Sequence, residues 1–159
     1  MQESRVRRAL SVALYAASDG EIPTRALFEA LGLVPTIRRL LPRFRDGALD
    51  WGCVDSWDDL VPGRFGILEP ALSASESLGP RDVVLLPGIA FDIHGWRLGR
   101  GGGLYDRAFP PGADSPWLVG IGYTFQWVAE VPHGSRDRRV DAIVTEDGWV
   151  WRGRGPDEL

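Results

Sequence analysis

The sequence predicts a single three-layer α/β/α domain, spanning residues 1–159, around a largely parallel central sheet. Three observations carry this. Asp82-Val-Val-Leu-Leu-Pro87, Leu118 to Tyr123 and Ala142 to Thr145 are short apolar runs, the pattern of strands buried on both faces. Between the first two lie a glycine-rich turn and a helical stretch starting near Tyr105, as in a right-handed crossover between parallel strands. The 159 residues match one domain with one core.

Ahead of these strands, Ser4 to Ala17 predicts a helix capped by Ser4, with Val6, Leu10, Ala13 and Leu14 on one face. Asp19-Gly20 stops it. Thr24 then caps a second helix, Arg25 to Leu31, closed by Gly32. Residues 34–41 are compatible with a short helix or with loop. Arg43 to Val54 reads as a hairpin turning at Asp46-Gly47. The chain shows no internal repeat and no low-complexity linker.

Composition excludes several functions. Hydrophobic residues at 44% and charged residues at 25% describe a globular chain rather than a disordered one. A net charge of −4 argues against coating nucleic acid, which needs a basic surface. Cys53 is the only cysteine, and His94 and His133 lack metal-ligand spacing, so neither a disulfide within the chain nor a cysteine-rich zinc site is expected. No apolar run suits a signal peptide or a bilayer span, which points to the cytoplasm, no membrane partner, and a monomer or small homo-oligomer. All 18 basic residues are arginine. Cationic work therefore falls to guanidinium, which forks onto phosphate or carboxylate and does not titrate near neutrality.

The chemistry concentrates in Arg97-Leu-Gly-Arg-Gly-Gly-Gly-Leu-Tyr-Asp-Arg107. Gly99, Gly101, Gly102 and Gly103 can turn backbone N–H groups inward with no Cβ in a ligand's way, and Arg97, Arg100 and Arg107 surround them with positive charge. A helix starting just afterwards would add to the attraction for an anion. The segment lacks the Gly-Lys-Ser/Thr of a Walker loop and the distal acid of a dinucleotide fingerprint. A bare surface loop is the plain alternative. Asp106 beside such a cradle suggests a Mg²⁺ ligand; a helix N-cap is the other reading.

The segment Leu86-Pro-Gly-Ile-Ala-Phe-Asp92, Gly95 and the Arg97–Arg107 motif together resemble the signature of the 5-formyltetrahydrofolate cyclo-ligase family. The likeness continues in order through Val12-Ala-Leu-Tyr15, Glu21-Ile-Pro-Thr24 and Phe65-Gly-Ile-Leu-Glu-Pro70. Downstream it takes in Gln126, Val131-Pro132 and Val140-Asp-Ala-Ile-Val-Thr-Glu146. The resemblance implies ATP-dependent closure of a reduced folate, 5-formyltetrahydrofolate, to 5,10-methenyltetrahydrofolate through a phosphorylated formyl oxygen. It implies further that Gly99, Gly101, Gly102 and Gly103 cradle the ATP phosphates, with Arg97 and Arg100 neutralising charge. Tyr105 would contact the reacting group, Glu21 would hold the folate and Phe65 would line the pterin pocket. Asp106 and Asp141 would bind Mg²⁺. On the residues alone, Phe65 reads equally as core, Glu21 as a solvated loop acid and Asp141 as a strand-end residue.

The sequence departs from the family pattern in three places. The family's usual basic helix precedes the point where this sequence starts, leaving Arg5, Arg7 and Arg8 as the nearest cations. Leu104 replaces the first of two tyrosines, and Arg136-Asp137 stands for a His-Asp pair. A shortened relative serving another phosphorylated ligand is therefore the alternative. A rival of another class is a helix-turn-helix formed by Ala9–Tyr15, Thr24–Leu31 and Thr36–Leu41, with Arg38 and Arg39 on the recognition helix; the acidic total argues against it.

Overall fold

A computed structural model of the chain describes residues 2–18, 20–71, 74–110 and 114–152. Asp19 of the predicted stop and residues 153–159 of the predicted domain lie outside the described residues.

Helix α1 spans Gln2–Arg8 and strand β1 Ser11–Ala13. The helix predicted over residues 4–17 thus ends at Arg8, and its second half is a strand. Residues 11–16 are all buried. A strand covered on both faces is apolar at every position, and a run this short fits helical and extended spacing alike. Helix α2, Arg25–Leu31, follows as expected, with Phe28 and Leu31 buried. Residues 38–41 then open strand β2, Arg38–Arg45, which turns through Asp46 and Gly47, both at positive φ, into β3, Ala48–Cys53. No recognition helix exists at Arg38 and Arg39, so the helix-turn-helix reading falls.

A small antiparallel hairpin comes next, β4 (Leu60–Pro62) with β5 (Leu68–Pro70). The predicted central strands appear as β6, Val83–Pro87, β9, Trp117–Ile121, and β11, Ala142–Thr145. Between β6 and β9 lie β7, Ala90–Asp92, β8, Arg97–Leu98, and helix α3, Leu104–Ala108. Trp127–Val128 (β10) and Gly148–Arg152 (β12) complete the set.

The main sheet has seven strands in the order β12-β11-β9-β6-β1-β2-β3. The four central pairings, from β11 through β9, β6 and β1 to β2, are parallel, and the two edge strands run antiparallel. Alternation along the strands sends Val83, Leu85, Trp117 and Val119 into one core cluster and Val84, Leu86 and Leu118 into another. Val6 of α1 and Phe28 of α2 cover the first face; Tyr105 and Ala108 of α3 cover the second. The layering is α/β/α as predicted, with helices of only one or two turns.

A second sheet, β10-β7-β8, is pressed onto the C-terminal ends of β6 and β9 by Phe91. A Cβ at Gly120 would come within 2.5 Å of the Phe91 ring, and one at Gly122 within 2.9 Å. Those two glycines let the hairpin carrying Arg97 sit directly on the sheet.

Candidate functional site

The central strands create a switch point. From β1 the chain crosses to β2 on one side, while β6 lies on the other side of β1. Open α/β sheets bind ligands in the crevice beyond the carboxyl ends of such strands. Two segments fill that place here. After β1, the Tyr15 hydroxyl donates to the Ile22 carbonyl at 2.9 Å, the Thr24 hydroxyl donates to the Tyr15 carbonyl, and the Ser18 N–H donates to Glu21 Oε2 at 2.8 Å. After β6 come the β7–β8 hairpin and the glycine turn. The two segments meet where Arg100 Nε approaches Glu21 Oε1 at 3.4 Å. Glu21 is 14% exposed, so it is not the solvated loop acid of the alternative reading.

Within the glycine turn, Gly101 (φ 87°) and Gly103 (φ 57°) adopt the left-handed backbone that side chains resist. Arg107 Nη1 donates to the Gly102 carbonyl at 2.9 Å. Because α3 is a single turn of five residues, the site's attraction for anions rests on these glycines and on guanidinium charge rather than on a helix end.

Arg97 is the best enclosed of the cations there, with its side chain 6% exposed. Its Nη1 donates to the Pro87 carbonyl at 3.2 Å, and its Nη2 to Asp106 Oδ2 at 3.3 Å. The guanidinium carbon stands 5.6 Å from the Tyr105 ring centre. Asp106, 16% exposed, takes a second bond at Oδ1 from the Arg138 N–H at 3.0 Å. Gly103 occupies the N-cap of α3, so the N-cap reading of Asp106 fails. Arg97 Nε and Arg138 Nε are buried and have no hydrogen-bond partner. Unpaired buried donors are costly.

Burial pushes the Tyr105 phenol above its ordinary range; Arg97 opposes that and Glu21 adds to it. Tyr105 is therefore a neutral hydrogen-bond donor at physiological pH. Glu21 thus acts electrostatically on Tyr105 as well as pairing with Arg100, which joins three predicted site residues.

Two predicted residues stand apart from that group. Asp141 precedes β11, its Oδ2 accepting the Leu118 N–H at 2.8 Å; burial raises its carboxyl above the usual value, against that hydrogen bond, Arg138 and Arg5. No direct contact between Asp141 and Asp106 is seen, but Arg138 touches the surroundings of both. Phe65 sits at the β4–β5 tip, 83% exposed and at positive φ (59°), with the Arg64 guanidinium 4.8 Å from its ring centre. Phe65 is not core.

Three contributors had no role assigned from the sequence, although Asp92 and Gln126 stand in the family-like motifs. Gln126 binds the carbonyls of Gly88 and Ile89 at 2.8 and 3.1 Å, fixing the start of the hairpin. Arg138 supplies the N–H to Asp106, and Asp92 anchors the hairpin turn. The signal for Asp92 was present, since Asp92-Ile-His-Gly95 is the spacing of an aspartate folding back on its own backbone. Arg138 gave none, because a backbone donor carries no residue-type signature.

Fold and site together define an open α/β protein with a glycine- and arginine-rich turn at its switch point. The profile of the 5-formyltetrahydrofolate cyclo-ligase family matches residues 1–146, and the chain belongs to that family. It is 34% identical to the 5-formyltetrahydrofolate cyclo-ligase of Escherichia coli K12 over 155 residues, 90% of this chain and 82% of that protein. Identity to the Haemophilus influenzae enzyme is 34% over 131 residues, covering 79% and 70%. Against the mitochondrial enzyme of Arabidopsis thaliana it is 37% over 119 residues, which span 61% of this chain but only 42% of that protein. The NMR structure of Aquifex aeolicus 5,10-methenyltetrahydrofolate synthetase matches the whole chain and 78% of its own, with a TM-score of 0.79 and 32% identity. A Mycoplasma pneumoniae 5,10-methenyltetrahydrofolate synthetase shares the fold, at a TM-score of 0.63 and 21% identity.

Proposed function

We propose that this chain closes 5-formyltetrahydrofolate to 5,10-methenyltetrahydrofolate at the expense of ATP, with Mg²⁺. The observation that carries the proposal is the meeting of Glu21, Tyr105, Arg97, Asp106 and the glycine turn at one switch point, in a member of the cyclo-ligase family. In the reaction the formyl oxygen attacks the γ-phosphorus of ATP and ADP departs. N10 then attacks the activated carbon and gives up its proton, the C–O bond breaks, and phosphate carries away the former formyl oxygen and, in the net balance, that proton. An amide oxygen is a poor leaving group, and phosphorylation makes it a good one. The protein's task is to align the reactants and to stabilise charge on the transferred group.

The unpaired Arg97 Nε and the left-handed backbone at Gly101 and Gly103 support a polyphosphate there. In the proposal Gly99 to Gly103 and Arg100 hold the phosphates from the open side, with Arg97 beneath. Asp106 has lone pairs left beyond its two hydrogen bonds, and Mg²⁺ needs only one or two carboxylates when phosphates complete its shell. There Mg²⁺ would neutralise phosphate charge, with Asp141 as the second acid. Glu21 accepts N–H groups of the folate, Tyr105 donates to the reacting group, and Phe65 offers a flat face to the pterin. The proposal includes the cytoplasmic location and the monomeric or small homo-oligomeric state expected from the sequence.

Purified protein mixed with Mg-ATP and 5-formyltetrahydrofolate tests this by the absorbance of the methenyl product. Product that forms only with both substrates supports it. No product at high enzyme concentration, together with no nucleotide binding by calorimetry, overturns it in favour of a repurposed binder of another phosphorylated ligand.

A further inference from the structure

Asp92 is fully buried and has no place in the reaction above, yet its carboxylate is engaged on both oxygens. Oδ1 accepts the N–H groups of His94 and Trp96 at 2.9 and 3.0 Å, which shapes the turn between β7 and β8. Oδ2 accepts the N–H of Val131 at 2.9 Å, from a segment 39 residues away. The same two segments touch again where the Val140 N–H donates to the Gly95 carbonyl at 2.9 Å and where Trp96 stacks on His133 at 4.0 Å.

Followed around, these contacts close a ring. From Asp92 the chain runs through Trp96 to Arg97, whose guanidinium grips Asp106 Oδ2. Asp106 Oδ1 is held by the Arg138 N–H, and from Arg138 the chain runs back to Val131 and to Asp92. Asp106 is thus aimed by one group from each segment, and Asp92 is the buried tie between the segments. We propose that Asp92 is a positioning residue for the anion-binding turn, setting the spacing of Arg97 and Arg138 about Asp106. Its kinetic consequence rests on the function proposed above; its structural consequence does not. Asparagine in its place can still accept at one oxygen, but it must turn an NH₂ group toward an N–H donor, so one side of the tie opens.

The test uses the full chain carrying Asp92→Asn, with two readouts. Amide hydrogen exchange is measured at Arg138, with the Val84 and Val119 amides reporting global opening. The ring predicts exchange at Arg138 faster by about tenfold beyond any change at those core amides, although Arg138 lies far from the substitution in sequence. In turnover, the nucleotide KM rises about tenfold, the scale seen when a group orienting a ligand's partner is lost, while the folate KM stays within about twofold. Should the asparagine variant not fold, Asp92→Ser is measured in the same way, since its hydroxyl can keep the turn while giving up Val131. Exchange altered only at His94, Trp96 and Val131, or a folded variant with an unchanged nucleotide KM, overturns the proposal and leaves Asp92 a local turn residue. Because exchange is read without substrate, it decides the matter even if the wild-type chain shows no turnover, which would sink the functional reading separately.

Discussion

Replacing Asp106 by alanine removes the one carboxylate paired with the enclosed Arg97 guanidinium. That pair is nearly out of water, with side-chain exposures of 6% and 16%. Breaking a buried pair from one side leaves an uncompensated charge and costs about 3–5 kcal/mol, far more than an exposed pair is worth. The Arg138 N–H loses its acceptor in the same step. For a chain of this size about 2–4 °C of melting temperature goes with each kcal/mol, so a fall of about 6–20 °C is expected. Asp106→Asn keeps a neutral acceptor for one of the two donors but turns its NH₂ toward the other, so it recovers only part of that loss. Inorganic phosphate separates this account from simple loss of packing. The anion can replace the missing carboxylate, so phosphate raises the melting temperature of the alanine variant more than that of wild type, by mass action. Urea unfolding read by the tryptophans and thermal scans with and without phosphate make the measurement. An alanine variant within 0.5 kcal/mol of wild type, and indifferent to phosphate, would refute the buried-pair reasoning (the threshold is about the scatter of neutral surface substitutions).

Other substitutions divide stability from function. Burial raises the Asp141 carboxyl, so the folded state binds its proton more tightly than the unfolded chain does; this contribution is present at low pH and is lost as pH rises from about 4 through the folded value. Asp141→Asn, whose amide oxygen can keep the Leu118 N–H, should therefore stabilise the protein at pH 7 while lowering turnover; a destabilised variant would contradict the sign. Phe65 holds a left-handed backbone that asparagine tolerates better, so Phe65→Asn should gain up to about 1 kcal/mol in urea titrations and raise the folate KM. Unchanged folate kinetics would detach Phe65 from the site. Arg100→Gln breaks the contact with Glu21 from its exposed side, at 3.4 Å, so stability should move by about 1 kcal/mol or less while the nucleotide KM rises. A rise in the folate KM alone would place Arg100 in the other half of the site.

How far the sequence disclosed this molecule depends on the element. The runs at Val83–Pro87, Trp117–Ile121 and Ala142–Thr145 were legible because strands covered on both faces are apolar throughout and flanked by turn residues. Ser11–Ala13 was lost to a helix for the same reason, since its apolar neighbours also fit a helical stripe. Residues 38–41 stayed open because Arg38 and Arg39 break the apolar run; Arg38 pairs with Glu76 at 2.7 Å, and Arg39 lies over the Phe28 ring at 4.2 Å. In the site, the glycines, Arg97 and Asp106 were visible as a cluster in the chain, while their mutual geometry was not. That Arg97 lies beneath the turn and is locked to Asp106 follows from the packing of Phe91 on Gly120 and Gly122, a contact between distant segments. The tie from Asp92 to Val131 is equally long-range.

The chemistry at the centre of the account is transfer of the γ-phosphoryl group to the formyl oxygen, and an isotope follows it directly. With 5-formyltetrahydrofolate labelled by ¹⁸O in the formyl group, turnover with unlabelled ATP in ordinary water is stopped and the released phosphate is weighed by mass spectrometry. One ¹⁸O atom in each phosphate formed with the methenyl product is the predicted result. Methenyl product accompanied by unlabelled phosphate would show that the formyl oxygen leaves by another route, and would contradict the account.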